Sequence, residues 1–150
     1  MKSEAVDFQN VHFTGLFIPR RSREHAISNN KIQNQYQNIF YDHVTLHYRP
    51  GEDDLRTVTR HAGLVVPITV RGIIRTPEVL AYLISLPNRL MDFLGIRVDE
   101  SFLHITLATA EGVPPVKSNE YIRKGEWEPY ALRRPLVGVL GYAMFNKEKI

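Results

Sequence analysis

Two phrases of four residues, His43-Val44-Thr45-Leu46 and His104-Ile105-Thr106-Leu107, repeat one pattern about half a chain apart. Each alternates polar and apolar side chains, the signature of a strand with one face open and one face buried. Side chains two residues apart on a strand share a face. Each phrase therefore sets an imidazole beside a hydroxyl on one side. It sends Val44 and Leu46, or Ile105 and Leu107, into a core on the other. Two such strands laid near each other make a cleft on which two imidazoles and two hydroxyls converge.

The chain has 150 residues, 43% of them apolar, which suits a single folded domain over residues 1–150 rather than a disordered segment. It contains no cysteine, so disulfides, thiolate nucleophiles and zinc–thiolate sites are excluded. That usage fits a reducing, cytoplasmic setting. Met1 to Asn10 is polar and acidic, unlike a signal peptide. The longest apolar stretch, Leu64 to Val70, is interrupted by Pro67 and is too short to span a bilayer. The net charge of +3 is compatible with an anionic ligand, and arginines gather at Arg20-Arg21-Arg23, Arg71 with Arg75, and Arg133-Arg134. Each group also fits a solvated surface.

Along the chain, Val11 to Ile18 reads as a buried strand stopped by Pro19. Ser22 to Ile27 is expected to start a short helix with Ser22 as its N-cap, and Ser28 to Asn38 continues as weak helix or loop. Asn38 to Tyr48 is a strand ended by Pro50-Gly51. Glu52 to His61 is expected to be a turn or one helical turn. Gly63 to Ile74 is a strand bent or bulged near Pro67; Val79 to Leu86 alternates poorly and fits strand or helix, with a strand forming a hairpin with its predecessor favoured. Asn88 to Phe93 is a helical turn capped by Asn88 and closed at Gly95. Phe102 to Thr109 carries the second phrase. Glu111 to Tyr130, with three prolines and two glycines, is expected to be a long surface loop, and Leu136 to Phe145 a last strand. The pattern implies a two-lobed α+β fold in which each lobe donates one histidine strand.

A phrase of this kind arises by chance about 0.1 times in such a chain, so the second copy is the informative one. The other histidines are less telling. His47 shares the His43 face on a regular strand, where it either lines the groove or packs structurally. His25 and His61 lie in polar segments, and His12 sits in the first strand within possible reach of the cleft. No carboxylates at ligand spacing accompany the phrases, so no metal and no other cofactor is expected.

Two imidazoles and two hydroxyls suit metal-free cleavage of a phosphodiester. Imidazole populates both protonation states near neutrality and can act as base or acid. The hydroxyls of Thr45 and Thr106 can donate to phosphoryl oxygens as charge builds on them. The residues leave open which oxygen attacks and which histidine is the base. Lys117 and Arg71 are candidate phosphate contacts, and Trp127, Tyr121 and Tyr130 are candidate stacking surfaces for bases. Each of these five also fits ordinary packing or surface. The competing reading is a module that binds a nucleotide or RNA without cutting it.

The paired phrases resemble the signature of the two-histidine phosphoesterase superfamily, whose members include RNA-repair cyclic phosphodiesterases and RNA end-processing enzymes. The resemblance implies a pseudo-symmetric pair of α+β lobes with antiparallel sheets around a central cleft. It also implies His43, Thr45, His104 and Thr106 as catalytic residues. The segment Ala110 to Asn119 and the opening Val11-His12-Phe13-Thr14-Gly15-Leu16 are similar to the bacteriophage anti-CBASS nuclease branch. That branch degrades the cyclic oligonucleotide messengers bacteria make on infection, which would place the protein in the host cytoplasm. In it, an aromatic ring near the start of the first strand is expected to stack on a base. His12 holds that place here, a departure from the pattern. The alternative within the superfamily is an RNA-processing or repair 2′,3′-cyclic phosphodiesterase.

Overall fold

Val44, Ile105 and Leu107 are at most 1% exposed. Burying a side chain of this size contributes about 1.5–3 kcal/mol. A one-residue slip of either strand would bring these residues to the surface, so packing alone fixes which face carries the histidines. The computed structural model describes residues 10–24 and 35–144 and is a mixed α+β structure. Its strands are β1 (Val11–Phe17), β2 (Asn38–Ile39), β3 (His43–Tyr48), β4 (Val65–Arg75), β5 (Val79–Ser85), β6 (His104–Thr109), β7 (Glu128–Pro129) and β8 (Leu136–Met144). Its helices are α1 (Glu52–Arg60), α2 (Asn88–Leu94) and α3 (Lys117–Arg123), with a 3-10 turn at Glu100–Phe102 and helical residues at 20–24.

Every strand pairing is antiparallel, in the order β2-β6-β5-β4-β8-β1-β3, with β7 beside β4. Two segments serve both halves of this path. The first half of β4, Val65 to Ile68, pairs with β8, and its second half, Thr69 to Arg75, pairs with β5. In the same way Asn38 to Tyr41 bonds to β6, through the ladder and through Phe40 N–H to the Leu107 carbonyl and Tyr41 N–H to the Thr106 carbonyl (2.8 and 3.0 Å). From Asp42 onward the same segment pairs with β1. This crossover brings the ends of the path together, with Cα atoms of β3 and β6 within 8 Å of each other.

The main core joins both halves through Leu16, Val44, Leu46, Ile68, Tyr82, Ile105, Leu107 and Leu140, with Val58 of α1 and Met91 and Leu94 of α2. A second, smaller cluster lies on the other face of β4 and β5. It holds Ile74, Val79, Ala81, Leu83 and Ile122, against which Phe102, Val113, Tyr121 and Trp127 pack.

Several elements differ from the sequence expectations. Glu52 to Arg60 is a full helix of nine residues, not a turn. Only Leu55 and Val58 face inward, too short a stripe to signal a helix, while three acidic residues open it and Arg60 closes it in the sense the helix dipole favours. Helical geometry begins at residue 20, so Ser22 lies inside it and is no cap; the rest of the expected Ser22 to Ile27 helix, with His25, falls outside the described residues. The N-cap of α2 is Pro87 rather than Asn88, while Gly95 does close it in the left-handed region at φ 75°. Pro67 does not bulge β4. It lies where β4 has a neighbour on one side only, a place that tolerates a missing N–H. The register shift falls instead between Val70 and Gly72. The expected loop from Glu111 to Tyr130 contains α3 and β7. No helix among the described residues is long and apolar enough to cross a membrane.

Candidate active site

Along β3 the half-buried positions are His43, Thr45 and His47, and along β6 they are His104 and Thr106, with Val44, Leu46 and Ile105 between them buried. Cross-strand pairing shows what each polar pair shares its face with. His43 is opposite Phe17 and Thr45 is opposite Gly15. His104 is opposite Leu83 and Thr106 opposite Ala81, both members of the smaller cluster.

Both imidazoles are anchored through the same nitrogen. His43 Nδ1–H donates to Asp42 Oδ1 at 2.9 Å, and His104 Nδ1–H donates to the Phe102 carbonyl at 2.7 Å. Among the described residues neither Nε2 has a hydrogen-bond partner, so each ring presents that nitrogen for proton exchange. The surroundings of His104 disfavour its charged form. Burial lowers the His104 pKa from 6.5, the bond to Phe102 partly offsets this, and the charge of His43 lowers it further. Burial works against the Asp42 carboxylate, yet the hydrogen bond and charge of His43, followed by Arg23, outweigh it and hold Asp42 below 3.8. Arg23 is fixed nearby by donating from Nε to the Phe40 carbonyl at 2.5 Å. The Phe13 ring stacks on His43 with centroids 4.4 Å apart, and Phe17 flanks it at 6.1 Å.

The two hydroxyls differ. Thr106 Oγ1 bonds to Ser118 Oγ at 3.0 Å and donates to the Pro115 carbonyl at 3.4 Å, so it is tied to α3 and the turn before it. Ser118 is fully buried. Among the described residues Thr45 makes no side-chain hydrogen bond.

His47 does not share the His43 face. Thr14 pairs with His47 while Gly15 pairs with Thr45, so Leu46 is an extra residue and the strand changes phase there. His47 is thereby turned to the opposite face, where Nε2–H donates to the Arg97 carbonyl at 2.5 Å and Nδ1 meets Thr14 Oγ1 at 2.7 Å. Both ring nitrogens are occupied in holding β3 to β1 and to the chain after α2.

The remaining candidates are spread around the two histidine strands. His12 sits at the other irregularity of β1, edge-on to Phe13 and Tyr48 at 5.4 and 5.3 Å. Lys117 begins α3 and is paired with Glu120 at 2.9 Å. The Arg71 guanidinium lies over the Trp127 ring at 5.2 Å. Tyr130 stacks on Tyr82 at 5.7 Å, and Tyr121 donates to Glu78 at 2.5 Å. Among the described residues no group of three or more His, Asp or Glu side chains is placed to hold a metal ion. Sequence reasoning missed Asp42, Phe13 and Ser118. Asp42 precedes a strand whose alternation would point it away from His43, and only the crossover lets it turn back.

No protein-family model matches the chain, and no curated protein matches it. Among solved structures, that of a fungal RNA kinase aligns at 13% identity with a TM-score of 0.48. It covers 95% of this chain, which spans 46% of the kinase chain. Similarity at this level carries no argument about activity.

Proposed function

We propose that this chain is a metal-independent phosphodiesterase in which His43 and His104 exchange protons with the two ends of a scissile phosphodiester. The observation supporting this most directly is the matched anchoring of two imidazoles, each held by Nδ1 and offering Nε2, on strands that lie together. In this reading the halves of the sheet are two pseudo-symmetric lobes, and the histidine faces line the cleft between them. One imidazole removes a proton from the attacking oxygen, the other protonates the departing oxygen, and Thr45 and Thr106 donate to the non-bridging oxygens. Thr45 has its hydroxyl uncommitted for that purpose. Thr106 can donate by giving up its long bond to the Pro115 carbonyl while Ser118 donates to it. The substrate class that fits best is a cyclic oligonucleotide, as in the phage enzymes that blunt bacterial CBASS immunity. RNA ending in a 2′,3′-cyclic phosphate is the second choice.

The test is incubation of the protein with cyclic dinucleotides, cyclic trinucleotides and cyclic-phosphate-ended RNA, with and without EDTA, followed by chromatography of the products. Cleavage that persists in chelator and drops about 10²–10⁴-fold in His43→Ala and His104→Ala is expected. Undiminished turnover in both variants refutes the proposal. Tight binding with every ligand recovered intact favours a sequestering module instead.

A further inference from the structure

His47 is the histidine of β3 that the proposed reaction leaves unused, yet both of its ring nitrogens are committed. The Arg97 carbonyl can only accept, so it fixes the proton on Nε2 and leaves Nδ1 to accept from the Thr14 hydroxyl. We propose that His47 is a positioning residue for His104: its bond to Arg97 sets where the second histidine strand stands relative to the first. The assignment rests on the phosphodiesterase reading above.

The route from one ring to the other is short. From Arg97 the chain enters the turn at Glu100–Phe102, where Asp99 Oδ1 accepts from the Ser101 N–H at 3.0 Å and Phe102 N–H donates to the Asp99 carbonyl at 3.2 Å. The Phe102 carbonyl then holds His104 Nδ1 at 2.7 Å. Ile96 and Leu103 fix the two ends of this stretch in the main core. Between them, Arg97, Asp99 and Glu100 are exposed, and an open cleft of about 550 Å³ separates the stretch from α2. Among the described residues, residues 97–101 hydrogen-bond outside their own turn to His47 alone. Packing holds the middle of the stretch weakly, and the bond from β3 supplies what packing does not.

β3 and β6 are thus tied at two points. At one, Tyr41 N–H donates to the Thr106 carbonyl at 3.0 Å, where the chain crosses over. At the other, His47 reaches the segment that leads into His104. A single tie would leave the strands free to swing about it, whereas two fix the angle between them and with it the separation of the imidazoles. The phase change at Leu46 permits the second tie. On a regular strand His47 would stand on the face of His43 and Thr45, turned away from Arg97.

Two substitutions separate the two bonds of the ring. In His47→Gln the side-chain amide N–H lies near the place of Nε2 and keeps the bond to Arg97, whereas His47→Asn is too short for it and keeps only Thr14. Turnover of cyclic dinucleotides, cyclic trinucleotides and cyclic-phosphate-ended RNA is measured beside amide hydrogen exchange over residues 97–103. His47→Asn should lower kcat about 10- to 100-fold while KM stays within about twofold. It should also speed exchange in that stretch about fivefold. His47→Gln should stay within about threefold of wild type in both measurements. Added to His104→Ala, His47→Asn should cost no more than about twofold further, because the group it positions is gone. Thr14→Val removes only the bond to β1 and should lower the melting temperature while kcat stays within about threefold. Wild-type kcat in His47→Asn, equal losses in the two His47 variants, a loss that multiplies with that of His104→Ala, or faster exchange without a fall in kcat overturns the assignment. Where His47→Asn does not fold, a kcat loss of about tenfold in His47→Gln or Thr14→Val still overturns it. If the wild type cleaves none of these substrates, the phosphodiesterase reading fails and takes the assignment with it.

Discussion

Gly15 is the position where one added methyl group should do most to the site. It lies on β1 opposite Thr45, and a Cβ there would sit 2.5 Å from the Val44 carbonyl oxygen and 3.3 Å from the Phe13 ring. Ordinary contact begins at 3.4 Å, so the first clash is about 0.9 Å too close, and its partner is backbone that cannot rotate aside. Gly15→Ala must therefore pry β3 from β1 beside His43 and Thr45. Overpacking of this kind costs about 1–3 kcal/mol. For a chain of this size that lowers the melting temperature by roughly 2–12 °C. A shift near 1 Å at reacting groups also costs about 10²-fold in rate.

Its pairing partner on β8 supplies the control. At Gly141 the nearest atoms to an added Cβ are in the Phe17 ring at 3.6 and 3.7 Å, ordinary contact, and the residue has no positive φ. Gly141→Ala should be neutral or stabilising by up to about 1 kcal/mol, because the unfolded chain loses freedom without strain in the folded one. Thermal melts followed by circular dichroism decide the matter. If the two variants melt together, or Gly141→Ala melts lower, the close approach of β1 to β3 is not what holds the His43 strand in place.

Three further outcomes follow from particular contacts. Gly72→Ala would set a Cβ 2.6 and 2.9 Å from the ring of Trp127, the only tryptophan, so the indole should swing into water and its emission shift to the red; an unchanged spectrum contradicts the packing described. His104 is held neutral by burial, so the unfolded chain binds its proton first and stability should fall as pH drops from 6.5 through the lower native value. A wild-type pH slope equal to that of His104→Gln, measured by urea unfolding, would show that the ring is not shielded. Ser118→Ala removes a buried partner of Thr106 and should lower kcat about tenfold, less than Thr106→Val; activity equal to wild type would remove Ser118 from the site.

Much of the architecture could be read from the residues because burial speaks through alternation. The faces of β3 up to Leu46 and of β6 follow from Val44, Ile105 and Leu107, each worth enough burial energy to forbid the opposite register. The helix α1 could not be read, because two inward residues leave no stripe and its support comes from end charges. The phase change at Leu46 was equally silent. A bulge adds one residue against a partner strand, and no local pattern in His43 to Tyr48 records what that partner does.

The same limit explains why the pairing of His43 with Asp42 escaped the sequence. Adjacent residues on a strand point apart, so the alternation that identifies His43 also argues against its neighbour. That argument fails because Asp42 stands between two pairings. Tyr41 still donates its N–H to β6 but adopts φ 55°, a left-handed turn of the backbone unusual for a residue other than glycine. One residue later the Asp42 carbonyl accepts from Ile18 beside β1. The chain must rotate between those two commitments, and the rotation frees Asp42 from strand geometry so that its carboxylate can meet the ring it precedes. The Tyr41 conformation is sustained by its surroundings, since the side chain is 1% exposed and its ring meets Tyr82 edge-on at 5.9 Å. The crossover that brings the two histidine strands together is thus also the feature that makes their environments unequal.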